Sequence, residues 1–181
     1  MSKLSTVAPP AVTLRWILQR DLPAMLQIEQ QPPAPQWTQK EFKAVFQSAD
    51  TAGWVADIAA RVVGFLVYRV TSQPDLVEAV AADFPGWRSY AAAGQVARKP
   101  LGITLLNLAV APAWRRHGIA RTLLQRIGQK LQQPQDAIEV TVPESNLPVQ
   151  LLLRDAGYKA VAVQRDHYGG EDGYLMELRR E

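Results

Sequence analysis

The alternation of apolar and polar positions divides the chain into short strands and one-faced helices. Alternating or continuous apolar runs rich in β-branched and aromatic residues predict seven strands. These runs cover residues 12–18, 53–58, 62–69, 103–110, 136–142, 158–165 and 174–178. Apolar residues spaced by three and four predict helices that begin after Asp21, at the capping box Thr38-x-x-Glu41, near His117 or Gly118, and after Asn146. The pattern therefore predicts an α/β (α+β) protein with about four helices.

One junction between a strand and a helix carries the clearest chemical signal. The strand 103–110 is broken by Ala111-Pro112-Ala113, and the helix that follows runs toward Pro134 with apolar residues at helical spacing. That apolar set consists of Ile119, Leu123, Leu124, Ile127 and Leu131. Backbone N–H groups and the positive end of a helix dipole would meet at the junction, where Gly118 allows close approach. We expect an anion site that suits a pyrophosphate.

Length and composition bound the domain organisation. The 181 residues, 48% hydrophobic and 20% charged, are expected to form a single domain, 1–181. Residues 1–10 are expected to be flexible, and 71–102, rich in proline and glycine, to be an insertion with a short helix at 74–82. The chain has no apolar run of ~18 residues and no secretory signal at its start, so we expect a cytoplasmic location and no membrane binding.

Charge and cysteine content exclude several classes of function. The formal net charge is only +3, with basic residues grouped around Arg115, Arg116 and Arg121, which is too small a basic surface to predict DNA binding. A basic surface patch that binds ribosomal RNA remains an alternative. Because the chain has no cysteine, disulfides, cysteine-ligated zinc and a thiol nucleophile are excluded, and no metal site is expected. Acyl transfer would have to be direct or use another residue.

The pattern Arg115-x-x-Gly118-x-Ala120 after a strand resembles the phosphate-binding signature of the GNAT (Gcn5-related) N-acetyltransferases. The order of predicted elements is also similar to that family over nearly the whole chain. Four segments resemble the ribosomal-protein-alanine N-acetyltransferase branch: Asn107-Leu108-Ala109-Val110-x-Pro112, Glu144-Ser145-Asn146, Gly157-Tyr158 and 165–176. The resemblance implies a mixed, mostly antiparallel seven-stranded sheet, acetyl-CoA as co-substrate and a primary amine as acceptor.

The resemblance also implies which residues hold the coenzyme. The pantetheine would lie along the fourth strand, and the N–H of Val110 would polarise the thioester oxygen. Asn146, which also suits a helix cap, would touch the pantetheine. The implied coenzyme-binding residues are Leu108, Ala109, Val110, Arg115, Arg116, His117, Gly118, Ile119, Ala120, Arg121 and Asn146.

The catalytic residues of that branch are replaced in this chain. Its glutamate base on strand five and its tyrosine acid in the next helix correspond to Thr141 and Leu153. Candidate substitutes are Glu139, Glu144 and Tyr168, with Tyr168 as an acid or an amine-binding group. His167 beside Asp166 is a weaker alternative, since a histidine in a turn is usually a surface residue.

The replaced residues leave several functions open. The leading prediction is an enzyme that moves acetyl from acetyl-CoA to a protein N-terminal amine. A small-molecule amine or a lysine side chain is the alternative acceptor, and a non-catalytic acetyl-CoA-binding module is the alternative class. The protein is expected to be a monomer or a homodimer.

Overall fold

A computed structural model describes residues 11–31, 37–72 and 100–180. The strands are β1 (Thr13–Trp16), β2 (Thr51–Ile58), β3 (Arg61–Ser72), β4 (Leu101–Val110), β5 (Ala137–Pro143), β6 (Lys159–Gln164) and β7 (Gly173–Arg179). The α-helices among the described residues are α1 (Leu22–Glu29), α2 (Gln39–Gln47), α3 (Ile119–Gly128) and α4 (Leu147–Asp155). None of these helices is long and apolar enough to cross a membrane.

The seven strands form one sheet in the order β1-β2-β3-β4-β5-β7-β6. β4 and β5 are parallel, whereas β1–β2, β2–β3, β5–β7 and β6–β7 are antiparallel. The predicted mixed, mostly antiparallel seven-stranded sheet is confirmed. The described residues fall into two compact units, one within Met1–Arg69 and Leu105–Gly128 and the other within Val70–Thr104 and Gln129–Glu181.

The first unit has a core on each face of its strands. Val55 and Phe65 are paired across β2 and β3, so their side chains share one face, where they pack with residues of α1 and α2. On the opposite face the indole of Trp54 stacks on Tyr68, and the guanidinium of Arg126 in α3 lies 5.7 Å from the centre of the Trp54 ring. Each buried large apolar side chain contributes about 1.5–3 kcal/mol to folding. This burial holds β4 and α3 in place.

The starts of the first two helices differ in their local chemistry. The Thr38–Glu41 capping box before α2 is confirmed, because the side chain of each residue accepts the backbone N–H of the other. Asp21 precedes α1, but the expectation that its side chain caps the helix is wrong. Its carboxylate instead accepts hydrogen bonds from both terminal nitrogens of Arg15, at 2.7 and 2.8 Å, and from the N–H of Leu18. A tertiary ion pair therefore replaces the local cap.

In the second unit, β5 alternates between two environments. Ile138, Val140 and Val142 are buried, while Glu139, Thr141 and Pro143 are half-buried on the other face. Buried Asp136, just before β5, accepts the N–H groups of Leu101 and Gln132, each at 2.7 Å. This carboxylate ties the start of β4 to the loop before β5.

Several predicted boundaries need correction. α3 ends at Gly128 rather than near Pro134; Leu131 lies beyond the helix and is still buried. The insertion 71–102 is shorter than expected, since Thr71 and Ser72 belong to β3 and Leu101 and Gly102 belong to β4. The predicted helix at 74–82 and the predicted flexible residues 1–10 lie outside the described residues.

Candidate functional site

The loop between β4 and α3 begins with a short helical turn and then reverses through two left-handed residues. In the turn, the N–H of Trp114 bonds to the carbonyl of Ala111 at 2.8 Å. Arg116 has φ +65° and Gly118 has φ +78°. Apart from its chain neighbours, a Cβ atom built on Gly118 would meet no atom of the described residues within 4 Å. The space beside Gly118 is therefore open to a ligand, and its glycine is favoured by backbone conformation rather than by crowding within the protein.

The first turn of α3 presents backbone donors at this loop. The N–H of Thr122 bonds to the carbonyl of Gly118 at 2.9 Å, so Gly118 immediately precedes the helix. The N–H groups of Ile119 and Ala120 lie in the first turn, where an α-helix offers them no carbonyl partner. The Ile119 side chain is buried and anchors this end of the helix in the core. Backbone donors and the helix dipole together favour an anion at this point.

At the end of β4 next to the loop, one hydrogen bond fixes the directions of the backbone N–H groups relative to β3. The N–H of Ala111 bonds to the carbonyl of Val63 on β3 at 2.9 Å. Because successive N–H groups of an extended strand point to opposite sides, those of Leu108 and Val110 point away from β3, whereas that of Ala109 points toward it. The side chain of Ala109 packs against the first unit's core. Leu108 and Val110, rather than Ala109, thus offer their backbone N–H groups at the side away from β3.

Two side chains of the loop bind its own backbone. The Nε of Arg115 donates to the carbonyl oxygen of Val110 at 3.0 Å, which brings a guanidinium to the edge of the strand. The Nδ1 of His117 lies 2.8 Å from the carbonyl oxygen of Arg115, so Nδ1 carries the hydrogen of this bond. Arg116 and Arg121 are exposed beside them. The predicted coenzyme-binding residues from 115 to 121 are thus brought together in one cationic loop.

Tyr168 is held by a specific hydrogen bond in the second unit. Its hydroxyl donates to the carbonyl oxygen of Thr141 at 2.9 Å, and 42% of the residue is exposed. Partial burial and the nearby charge of Glu171 raise the pKa of Tyr168 above its usual value of about 10. The N–H of Ser145 binds the Glu171 carboxylate at 2.6 Å. Tyr168 is therefore a positioned, protonated phenol at neutral pH.

The candidate bases lie in different settings. Glu139 is paired across the sheet with Glu177, whose carboxylate binds Arg179 with two contacts of 2.6 Å. Glu144 is exposed, and its backbone N–H bonds to the carbonyl of Asp172 at 2.9 Å. The hydroxyl of Thr141 donates to Gln164 at 3.2 Å. Thr141 is thus bound by both Gln164 and Tyr168 and has no carboxylate of its own.

The three remaining residues, Leu153, Asn146 and His167, agree only in part with the sequence predictions. Leu153 of α4 is fully buried, so this position supplies packing and no proton donor. Asn146 occupies the residue before α4, but its side chain forms no capping hydrogen bond, which corrects the expected cap. His167 is exposed, and its ring meets the Tyr168 ring edge-on at 4.7 Å.

The sequence interpretation missed a buried polar pair in the first unit. Oε1 of Glu29 accepts the Nδ2 amide of Asn107 at 3.1 Å and the N–H of Trp37 at 3.0 Å. Both Glu29 and Asn107 are buried. A signal was present, because Glu29 follows Met25 by four residues and so occupies the apolar face of α1. A charged residue at a core position indicates a partner elsewhere in the fold.

A family model and curated relatives match this chain. The model described as "Acetyltransferase (GNAT) family" matches residues 22–158. A protein of Sulfurisphaera tokodaii named N-alpha-acetyltransferase is 39% identical over 75 residues, which cover 40% of this chain and 45% of that protein. A protein of the same name from Saccharolobus solfataricus is 36% identical over 75 residues, which again cover 40% of this chain and 45% of that protein. The matched stretch thus spans less than half of these relatives.

Solved structures share the fold. The ribosomal-protein-S18-alanine N-acetyltransferase from Escherichia coli superposes with a TM-score of 0.69 at 22% identity, covering 93% of this chain and 94% of that one. Arabidopsis thaliana NAA60, solved in complex with acetyl-CoA, gives a TM-score of 0.71 at 18% identity and covers 93% of this chain and 98% of its own. At these identities the likeness concerns the fold.

Proposed function

Because the chain belongs to the GNAT family of acetyltransferases, we propose that it transfers acetyl from acetyl-CoA directly to a primary amine. The observation that carries the proposal is the β4–α3 loop. There, first-turn N–H groups, an open glycine with φ +78° and a cationic flank adjoin a strand edge with outward N–H groups. This combination suits a ligand that has a pyrophosphate at one end and an amide-containing arm at the other.

In this proposal the β4–α3 loop binds the pyrophosphate of acetyl-CoA and β4 binds its pantetheine arm. Backbone N–H groups of Gly118, Ile119 and Ala120 bind the pyrophosphate oxygens, with Arg116 and Arg121 adding charge. Leu108 and Val110 pair with the pantetheine through their backbones, as an added strand would. The N–H of Val110 stabilises the oxygen of the thioester when negative charge develops on it. Arg115, bound to the Val110 carbonyl, holds this segment.

The chemistry requires a neutral amine and a proton for the departing thiolate. The amine nitrogen forms a bond to the acetyl carbon as the carbon–sulfur bond breaks, and the amine loses one proton while the sulfur gains one. Tyr168 is our candidate acid, because its phenol is protonated and oriented by Thr141. Glu139 and Glu144 are the candidate bases. Transfer is direct, since the chain has no cysteine to form an acyl intermediate.

A protein N-terminus is the acceptor that we favour. The name N-alpha-acetyltransferase of the curated relatives supports it, as does the alanine N-acetyltransferase among the structural neighbours. The Tyr168 hairpin, which matches the substrate-binding hairpin of that branch in sequence, supports it as well. An N-terminal alanine of a ribosomal protein is the specific form of the proposal. The single domain, the monomeric or dimeric state and the cytoplasmic location stay predictions.

One observation favours a second function, a non-catalytic acetyl-CoA-binding module. Thr141 and buried Leu153 leave the usual base and acid positions without ionisable groups. Incubation with acetyl-CoA and a peptide panel, followed by mass spectrometry, separates the two. The panel pairs a peptide with a free N-terminal alanine and no lysine against an N-terminally blocked peptide with one lysine, and a small polyamine is run in parallel. Acetylation of the first peptide supports the proposal, and binding without transfer supports the module.

A further inference from the structure

We propose that Glu29 is a positioning residue for acetyl-CoA: its buried carboxyl group, through its hydrogen bond to Asn107, holds the Asn107–Val110 segment of β4 in the geometry that binding needs. The inference rests on the proposed function of β4 and adds a residue that does not touch the ligand.

Glu29 joins three elements of the first unit at one atom. Its Oε1 accepts the N–H of Trp37, which precedes α2, and the side-chain amide of Asn107, which lies on β4. Glu29 itself is the last residue of α1 and is 0% exposed. Asn107 directly precedes Leu108, the first of the two residues whose N–H groups point away from β3. The carboxyl group therefore connects the ends of both helices to the proposed pantetheine strand.

The charge state of Glu29 determines how well its carboxyl group holds the Asn107–Val110 segment of β4. Burial raises the pKa of Glu29, and the charge of Glu41 raises it further, while the hydrogen bonds from Trp37 and Asn107 oppose the shift. Its other oxygen, Oε2, is buried with no hydrogen-bond partner among the described residues. Among the described residues no cation is paired with Glu29, so an ionised carboxylate there would need water to enter and solvate it. The neutral carboxyl group of Glu29 is therefore the form that stays buried without water.

The same reasoning sets the direction of the pH dependence. A glutamate whose pKa is raised in the folded protein stabilises the fold most fully below the usual value of 4.5, and this contribution is lost as pH rises through the folded value. Affinity for acetyl-CoA should decline over the same interval, because the Asn107–Val110 segment loosens. Glu29→Gln keeps an oxygen acceptor at Oε1 and cannot ionise, so it should be free of that decline.

The test compares the dissociation constant of acetyl-CoA for wild type, Glu29→Gln, Glu29→Ala and Glu41→Gln between about pH 5 and about pH 9, where buried glutamates titrate. Glu41→Gln keeps the capping box but removes a charge that raises the pKa of Glu29, so its affinity should decline at a lower pH than that of wild type. Glu29→Ala should weaken binding roughly tenfold at acid pH, where the wild-type carboxyl group is neutral, since a buried hydrogen bond is lost. Glu29→Gln should bind like wild type at acid pH and more tightly than wild type at alkaline pH.

The outcomes separate this inference from the proposed function. If wild type binds acetyl-CoA but the ratio of wild-type to Glu29→Gln affinity is the same at every pH, the positioning role of the neutral carboxyl is wrong. The same holds if Glu29→Gln is as weak as Glu29→Ala at acid pH while its melting temperature is unchanged. If wild type does not bind acetyl-CoA at any pH, the proposed function and this inference fail together.

Discussion

The hydroxyl of Tyr168 donates a hydrogen bond to the carbonyl oxygen of Thr141 across a distance of 2.9 Å. The two residues are 27 positions apart in the chain, and Thr141 is the position at which the resemblance implies a glutamate base. The contact therefore orients the strongest candidate acid at a place where the usual base is missing.

Replacement of Tyr168 by phenylalanine should separate catalysis from coenzyme binding. The ring would keep its packing beside Gly173, while the hydroxyl and its proton are lost. Turnover should fall on the order of a hundredfold, which is within the usual range for one acid or base. Acetyl-CoA affinity should not change. Steady-state kinetics and calorimetry give the two numbers, with His167→Gln in the same hairpin as the control; undiminished turnover in Tyr168→Phe rules this role out.

Restoration of a carboxylate at Thr141 provides the reverse experiment. Thr141 is half-buried, and Thr141→Glu would place a base on the face of β5 that also carries Glu139. We expect turnover to rise on the order of tenfold, a modest share of what a positioned base contributes. Thr141→Gln has nearly the same shape and no charge, so it should show no gain. Equal rates in the two variants would mean that a carboxylate here cannot reach the amine.

Replacement of Leu153 by tyrosine should not restore the missing acid. Leu153 is fully buried, and the larger side chain would overpack the core at a cost of about 1–3 kcal/mol. We therefore expect a lower free energy of unfolding and no gain in turnover, both relative to Leu153→Met. A well-folded Leu153→Tyr variant with faster turnover would show that this position does open to the ligand.

Gly118 allows a test of the loop with a closely matched control. Gly118 and Gly169 have φ values of +78° and +67°, and a Cβ at either would meet no described residue within 4 Å apart from its chain neighbours. Gly118→Val and Gly169→Val should thus suffer similar backbone strain. Acetyl-CoA at a hundred times its dissociation constant should stabilise wild type by roughly 2.7 kcal/mol. That stabilisation should persist in Gly169→Val and vanish in Gly118→Val; equal ligand-induced shifts would exclude this loop.

The ion pair of Asp21 with Arg15 should govern stability in acid. Burial alone would raise the pKa of Asp21, but hydrogen bonds from Arg15 and Leu18 outweigh it and lower the pKa below 3.8. The stabilisation is therefore complete above pH 3.8 and is lost as pH falls through the folded value. Asp21→Asn should lower the free energy of unfolding by about 2 kcal/mol at neutral pH and less in acid.

Denaturant titrations at several pH values measure this difference. Asp50→Asn is the control, because Asp50 and Arg69 form an exposed pair at 3.4 Å that should contribute less than about 1 kcal/mol. A neutral-pH loss in Asp21→Asn no larger than that in Asp50→Asn would contradict the larger contribution expected of the partly buried Arg15–Asp21 pair.

Features that depend on neighbouring residues were predictable from the sequence. The alternation of β5, the Thr38–Glu41 capping box and the break after β4 follow from local patterns, and the structure has all three. The end of α3 was not predictable, because Leu131 continues the apolar spacing after the helix has stopped at Gly128. Periodicity reports burial, and a residue can be buried without being helical.

Features that depend on tertiary contacts could not be predicted from the sequence. Asp21 has the residue type and position of a cap, and only the fold shows that Arg15 binds its carboxylate. Glu29 and Asn107 are 78 residues apart, so no local pattern pairs them. The β4–α3 loop is one continuous segment, so its role could be predicted from the sequence. The hydrogen bond of Tyr168 to Thr141 depends on the register of β5 with β7, which only the fold shows.

The most direct test of the central claim is acetyl transfer itself. Purified protein is incubated with acetyl-CoA and a peptide that begins with alanine and has no lysine, and free thiol and peptide mass are followed together. The expected result is that thiol is released in equal amount to acetylated peptide, at a rate that rises with pH as the amine loses its proton, and that Gly118→Val abolishes both signals. Stable binding of acetyl-CoA with neither thiol release nor acetylated peptide, for this peptide and for lysine and small-amine acceptors, would contradict it.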